Sequence, residues 1–361
     1  MKYKKTSIVT ILILIVCVCI VISINQIERN PRLQSFVLKY FPEKIVITMQ
    51  NIYRDQVVIN YRNAYNLAVL PTNNFGSFQV KKKKLSRIVK TKTGYLKFFI
   101  DHYKNKIFTV DTKATVSYLD DDLSSEQVQI SSNLNFGPSD RVLDMNIAGE
   151  KIYISASLVT NSCVKHHILV AELNTDRLLF EEVWESNSCA RTASSLQSGR
   201  IISIKYDGVE KLLLSSSDKE INNPSLEGQN PETSYGKILM INPKNGKSSI
   251  QAFGIRNTQG LVHYLGRTFM TDHGPKGGDE LNVLINEANF GWPHASYGSK
   301  YPDVANFSKG NKYFRDHEKH GFKEPIFAFV PSIGISELVV LDNDYYPECK
   351  NCILISSFNG R

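Results

Sequence analysis

The chain has 361 residues, of which 42% are apolar and 22% charged, with 21 Gly and 13 Pro. This is the composition of a folded globular protein, and it excludes a collagen-like, coiled-coil or wholly disordered chain. A net charge of +8 invites a nucleic-acid or anionic-membrane partner, but Lys2, Lys4, Lys5 and Lys81 to Lys84 carry seven of those charges. The run from Lys81 to Lys84 has no interleaved aromatics and reads as a solvated turn, so no nucleic-acid partner is expected.

From Ser7 to Ile24 the chain runs for eighteen residues without a charge. A helix of that length spans about 27 Å, close to the roughly 30 Å of a bilayer core. A cleaved signal peptide has a shorter apolar core and a small-residue cleavage site, whereas here Asn25, Gln26, Ile27 and Glu28 come directly after the run. The segment therefore reads as an uncleaved anchor at 7–24. Lys2, Lys4 and Lys5 keep the tail at 1–6 cytoplasmic and place the chain beyond the anchor outside the membrane. Residues 25–62 read as a membrane-proximal stem. From 63 to 361, short runs rich in Val, Ile, Leu, Tyr and Thr alternate with turns such as Tyr206-Asp207-Gly208. No long helical period occurs, and many short strands over this length predict an all-β propeller rather than one sandwich.

Of six cysteines, Cys17 and Cys19 fall in the anchor, leaving Cys163, Cys189, Cys349 and Cys352 in the exported part. Cys349-Lys-Asn-Cys352 has the spacing of half a zinc site or of a redox pair, but it lacks a second pair and a βαβ context; structural disulfides suit an oxidising compartment better. Cys163 with Cys189 would form the other bridge. The adjacent His166 and His167 alternate to opposite faces of a strand, which argues against a shared metal. Trp184 and Trp292 read as packing residues.

Two segments stand out from this background. The first is Gly254-Ile255-Arg256-Asn257-Thr258-Gln259-Gly260-Leu261; the second is His273-Gly274-Pro275-Lys276-Gly277-Gly278-Asp279-Glu280-Leu281-Asn282, succeeded by Asn289-Phe290-Gly291-Trp292-Pro293. An Arg-Asn pair in a glycine-flanked turn can grip a carboxylate or quinone oxygen. The Gly-Pro step offers backbone carbonyls, and Asp-Glu offers hard oxygens suited to Ca²⁺. Alone, each segment is no more than a turn before a strand.

Together these segments resemble the soluble PQQ-dependent glucose/sorbosone (aldose sugar) dehydrogenases, six-bladed β-propellers that hold pyrroloquinoline quinone on one face. Gln197-Ser198-Gly199-Arg200, Gly236-Lys237-Ile238-Leu239 and Val330-Pro331-Ser332-Ile333 extend the resemblance from about residue 135 to the end. Residues 60–135 fit as a divergent first blade. The resemblance implies that Arg256 and Asn257 contact the quinone, with Arg256 stabilising charge as hydride arrives. It implies that the Gly274 and Pro275 carbonyls hold a Ca²⁺ that touches PQQ, and that Glu280 and Phe290 surround a second Ca²⁺. Asp218 falls near a cofactor-side aspartate.

The departures are also informative. The family's general base is a histidine four residues before the arginine of the Ser-Gly-Arg turn, and here that position is Leu196, which cannot accept a proton. A cofactor lysine falls at Asn359, and the sequence stops at Arg361, before the family's last cofactor arginines: either the chain continues, or that part of the pocket is absent. His263, His273 and His294 lie in or beside the matching segments and are the candidates for a replacement base, although a lone histidine in a β-rich segment is more often a hydrogen-bonded structural residue. The expected function is hydride transfer from a sugar CH–OH to PQQ in a membrane-anchored, extracytoplasmic protein that passes electrons to a respiratory acceptor. The alternative is an inactive propeller that binds a glycan or protein partner.

Overall fold

In this computed structural model the short β runs pair into four antiparallel four-stranded sheets, two of them extended by a short parallel strand, and one two-stranded hairpin. The structure describes residues 98–160, 163–190, 198–218, 226–275, 277–298, 313–330, 332–341 and 351–358. The tail, anchor and stem at 1–62, together with Leu196 and Asn359, lie outside the described residues. Among the described residues no helix is long and apolar enough to cross a membrane.

The first sheet comprises β1 (Phe98–Tyr103), β2 (Lys106–Asp111), β3 (Val116–Asp120) and β4 (Val128–Ser132). The second begins with β5 (Arg141–Ala148), β6 (Lys151–Thr160) and β7 (Cys163–Glu172). After the two-residue β8 (Arg177–Leu178) it is completed by β9 (Glu181–Glu185). The third comprises β10 (Ile201–Tyr206), β11 (Val209–Ser216), β12 (Lys237–Ile241) and β13 (Ser248–Phe253). The fourth comprises β14 (Thr258–Tyr264), β15 (Arg267–Asp272), β16 (Asp279–Val283) and, after the short β17 (Ala288–Asn289), β18 (Phe327–Phe329). A hairpin of β19 (Ile335–Leu341) and β20 (Cys352–Ser357) begins a fifth. The architecture is all-β and propeller-like; of the six blades that the resemblance implies, the described residues contain four complete sheets and one hairpin of another.

The same turn chemistry recurs between the first and second strands of three sheets. Lys104 and Asn105 (φ 46° and 60°), Asp207 and Gly208 (50° and 73°), and Leu265 and Gly266 (48° and 72°) each put two residues at positive φ between closing strand pairs. Two-residue turns of that kind match the right-handed twist of the strands they join. The outer strands are stitched to the next sheet: β4 pairs in parallel with β8, and β13 with β17.

The core lies between sheets. Leu212 and Leu214 pack with Tyr153 and Ile168 toward the second sheet, while Leu213 packs with Met270 and Phe290 toward the fourth. A strand buried on both faces must be apolar at consecutive positions, which is why β11 reads Leu-Leu-Leu instead of alternating. Each fully buried Leu or Ile contributes roughly 1.5–3 kcal/mol.

Candidate functional site

Neighbouring first strands run in the same direction. Ile201 N bonds Asp144 Oδ2 at 3.0 Å and Ser203 N bonds Asn146 Oδ1 at 2.9 Å, so β5 and β10 advance together. First strands therefore start, second strands end and third strands start at one common end. That end collects Ser198 to Arg200 before β10, Ser216 to Asp218 leaving β11, Arg256 and Asn257 before β14, Asp272 to Pro275 leaving β15, and Asp279 and Glu280 opening β16.

Asp272 organises this end. One carboxylate oxygen accepts Arg256 N at 3.0 Å and the other accepts Asn257 N, which locks the backbone of the Arg-Asn turn. Burial raises the Asp272 pKa, opposed by those two N–H bonds. The Arg256 guanidinium donates to the carbonyl oxygens of His273 and, at 2.7 Å, of Gly274. Its plane lies over the Trp292 ring, 5.2 Å from the centroid. Asn257 Oδ1 accepts Gln259 Nε2 at 2.8 Å. Arg256, Gly274, Pro275, Glu280 and Phe290 line one small cleft with Asp272 and Trp292, so tertiary structure brings five sequence-predicted positions together.

The predicted positions differ in their surroundings. Asp218 is fully buried, and its Oδ2 accepts the Trp292 indole N–H at 2.6 Å; Trp292 is thus a hydrogen-bonding element as well as a packing one. Glu280 is buried with a pKa well above the usual carboxylate range, raised first by burial and then by Asp272. His273 Nδ1 lies 3.5 Å from Asp279 Oδ1, His263 Nδ1 bonds Thr268 Oγ1 at 2.9 Å, and His294 stacks on Phe322.

His166 and His167 do face opposite ways. His166 Nδ1 meets Ser216 Oγ at 3.1 Å, and burial lowers its pKa to about 4, whereas His167 Nδ1 meets Glu182 at 2.7 Å. Glu185, close to His167 and Glu182, already pairs with Lys165 at 2.8 Å. Cys163 and Cys189 form a disulfide, and Cys352 is disulfide-bonded too, which argues against a zinc-bound thiolate there; Cys349 lies outside the described residues.

Three residues have structural roles that the sequence reading did not assign. Arg200 reaches four neighbouring sheets: Nη1 lies 3.1 Å from Asp144 and 2.9 Å from Glu337, Nε donates to Gln259 O at 2.6 Å, and the guanidinium lies 5.6 Å from the Phe99 ring centroid. Lys237 is fully buried, its ammonium bonded to the carbonyls of Glu227, Gly228 and Tyr235; burial lowers its pKa to about 8. His317, also fully buried, lies beside Glu280 and Glu324. For Arg200 the only available signal was its Ser-Gly-Arg turn.

The sequence profile of the glucose/sorbosone dehydrogenases matches residues 137–361. The chain belongs to that family. Among curated members it is similar to the aldose sugar dehydrogenase YliI of Escherichia coli, 26% identical over 135 residues, which is 36% of this chain and 35% of that one. It is 34% identical over 128 residues to quinoprotein glucose dehydrogenase B of Acinetobacter calcoaceticus, covering 31% and 26% of the two chains. The aligned stretches thus span about a third or less of these relatives. In fold it resembles the apo form of the soluble aldose sugar dehydrogenase of Escherichia coli, with a TM-score of 0.59 at 18% identity over 73% of this chain and 79% of that one. A glucose dehydrogenase structure superposes with a TM-score of 0.57 at 16% identity, covering 72% and 80%.

Proposed function

We propose that the chain is a PQQ-dependent sugar dehydrogenase, anchored through residues 7–24, with its propeller exported and its electrons passed to a respiratory acceptor. The observation that carries this reading is the Arg256-Asn257 turn, locked by Asp272 at the common end of the sheets in a member of this family. The residues present fit a polar quinone in one respect: the buried hydroxyls of Ser198 and Thr258, at that same end, have no hydrogen-bond partner among the described residues. PQQ, when bound, supplies the hydride acceptor. Asn257 presents its amide, and Arg256 supplies positive charge beneath the turn. A base must take the hydroxyl proton, and Leu196 at the family's base position cannot do so. The calcium implied by the resemblance is not part of this reading, because the Arg256 guanidinium, itself a cation, stands at Gly274 O.

Leu196 also supports a second reading, a propeller of the same family that binds a glycan or protein partner without turnover. Calorimetric titration of PQQ into the full-length chain, with aldose-dependent dye reduction measured afterwards, separates the two. Tight binding with turnover supports the dehydrogenase. Binding without turnover, gained on Leu196→His, supports a pocket that has lost its base. No PQQ binding overturns the proposal and leaves the second reading.

A further inference from the structure

Calcium is a hard ion that takes six to eight oxygen ligands. Around the cleft, several of the oxygens it would use already accept hydrogen bonds, and one of them, Gly274 O, accepts from a guanidinium that is itself a cation. Gly274 O accepts Arg256 Nη1 at 2.7 Å, and the same guanidinium donates to His273 O. Pro275 O accepts Gly278 N at 3.1 Å and lies against Gly298, where a Cβ would come within 2.9 Å of it. Both Asp272 oxygens accept backbone N–H groups. Glu324 accepts Glu318 N at 3.0 Å and the Tyr297 hydroxyl at 2.7 Å. Glu280 is the carboxylate left short of partners, with one contact from Asn282 Nδ2 at 3.3 Å.

The imidazole of His317 faces the remaining Glu280 oxygen. Its Nε2 lies 3.7 Å from Glu280 Oε1 and its Nδ1 lies 3.5 Å from Glu324 Oε2. A histidine that shares a metal with two carboxylates points one nitrogen at the spot where their oxygens converge. Here opposite nitrogens face different carboxylates, so the ring itself occupies the space between them. That space is shaped for the ring: Gly291 has φ 96°, a Cβ there would stand 3.2 Å from His317 Cδ2, and the Tyr297 ring packs with its centroid 5.0 Å away.

We propose that Arg256, at Gly274 O, and His317, at the Glu280 carboxylate, stand where the resemblance puts calcium, so that the chain fills those places with its own side chains. This goes beyond the dehydrogenase reading and does not depend on whether a quinone binds.

The test is thermal unfolding and calorimetric Ca²⁺ titration of the full-length chain after chelation. The expected result for the wild type is no binding heat and the same melting temperature with and without Ca²⁺. His317→Ala opens the space between Glu280 and Glu324: its melting temperature should fall in chelator and recover with Ca²⁺, and the recovery should vanish in His317→Ala/Glu324→Gln. Should His317→Ala not fold, His317→Gln is read in the same way. The proposal is overturned if chelation lowers the wild-type melting temperature and Ca²⁺ restores it. It is equally overturned if the folded His317 variants gain no Ca²⁺ dependence, or if a gained dependence survives Glu324→Gln.

Discussion

Replacing Arg200 with Ala should destabilise the propeller more than any surface substitution, because one side chain joins several sheets. The guanidinium contacts Asp144 in the second sheet, Gln259 in the fourth, Glu337 in the next hairpin and Phe99 in the first. Asp144, whose side chain is 14% exposed, also accepts Ile201 N at 3.0 Å, so removing Arg200 leaves its carboxylate buried without a counter-charge. Breaking such a pair costs roughly 3–5 kcal/mol. Glu337 is 43% exposed and partly screened by solvent, so we take the lower end, about 3 kcal/mol. For a unit of this size that is a fall of about 5–10 °C in melting temperature. Circular dichroism in urea and on heating measures both quantities. Asp144→Ala should cost less in the Arg200→Ala background than in the wild type, because the stranded carboxylate is gone. A loss below about 0.5 kcal/mol, the size expected for a solvated surface residue, would refute the hub.

Three further outcomes can be checked with the same methods. Although the Glu337 side chain is 43% exposed, the protein packed around its carboxyl desolvates it enough to push it from its ordinary 4.5 up to about 7, with Arg200 opposing and Asp144 adding. The folded chain therefore holds this proton more tightly than the unfolded one: its stabilisation is complete below pH 4.5 and is lost as pH rises through 7, so Glu337→Gln should flatten the stability profile in that window. Asp218→Ala leaves the buried Trp292 N–H without this acceptor and should cost about 1–3 kcal/mol in urea, while Asp218→Asn, which keeps an oxygen there, should cost less. The Cys163–Cys189 bridge spans 26 residues; by loop-closure entropy Cys189→Ser should cost about 3.5 kcal/mol, read as a lower urea midpoint under oxidising conditions.

The fold class was legible because strands declare themselves locally. Runs such as Lys-Ile-Tyr-Ile-Ser-Ala-Ser at 151–157 and turns such as Asp207-Gly208 carry their own backbone preferences, and β6 and the β10–β11 hairpin fall on them. The Cys163–Cys189 pairing was legible too, and so was the divergence of His166 from His167, since alternation along a strand is a period-two property of the chain itself. The segments at 254–261, 273–282 and 289–293 marked the cleft because close backbone approach demands glycine: a Cβ at Gly274 would stand 1.7 Å from Gly278 O, and one at Gly254 would stand 2.4 Å from Asn289 Oδ1.

What the sequence could not carry was the partner of each charged side chain. Arg256 was legible as a cation near a ligand, but that its guanidinium turns to the His273 and Gly274 carbonyls is decided by the pairing that sets the start of β14 beside the end of β15. Arg200, Lys237 and His317 gave no local hint of being a bridge between sheets, an ammonium among three carbonyls and a ring between two carboxylates. Propensity and alternation act over a few residues, so the sequence determined the strands, the turns and the glycine-lined segments. Charge pairing acts through space, between groups that are, like Arg200 and Glu337, far apart along the chain, so it was decided only when the sheets packed side by side.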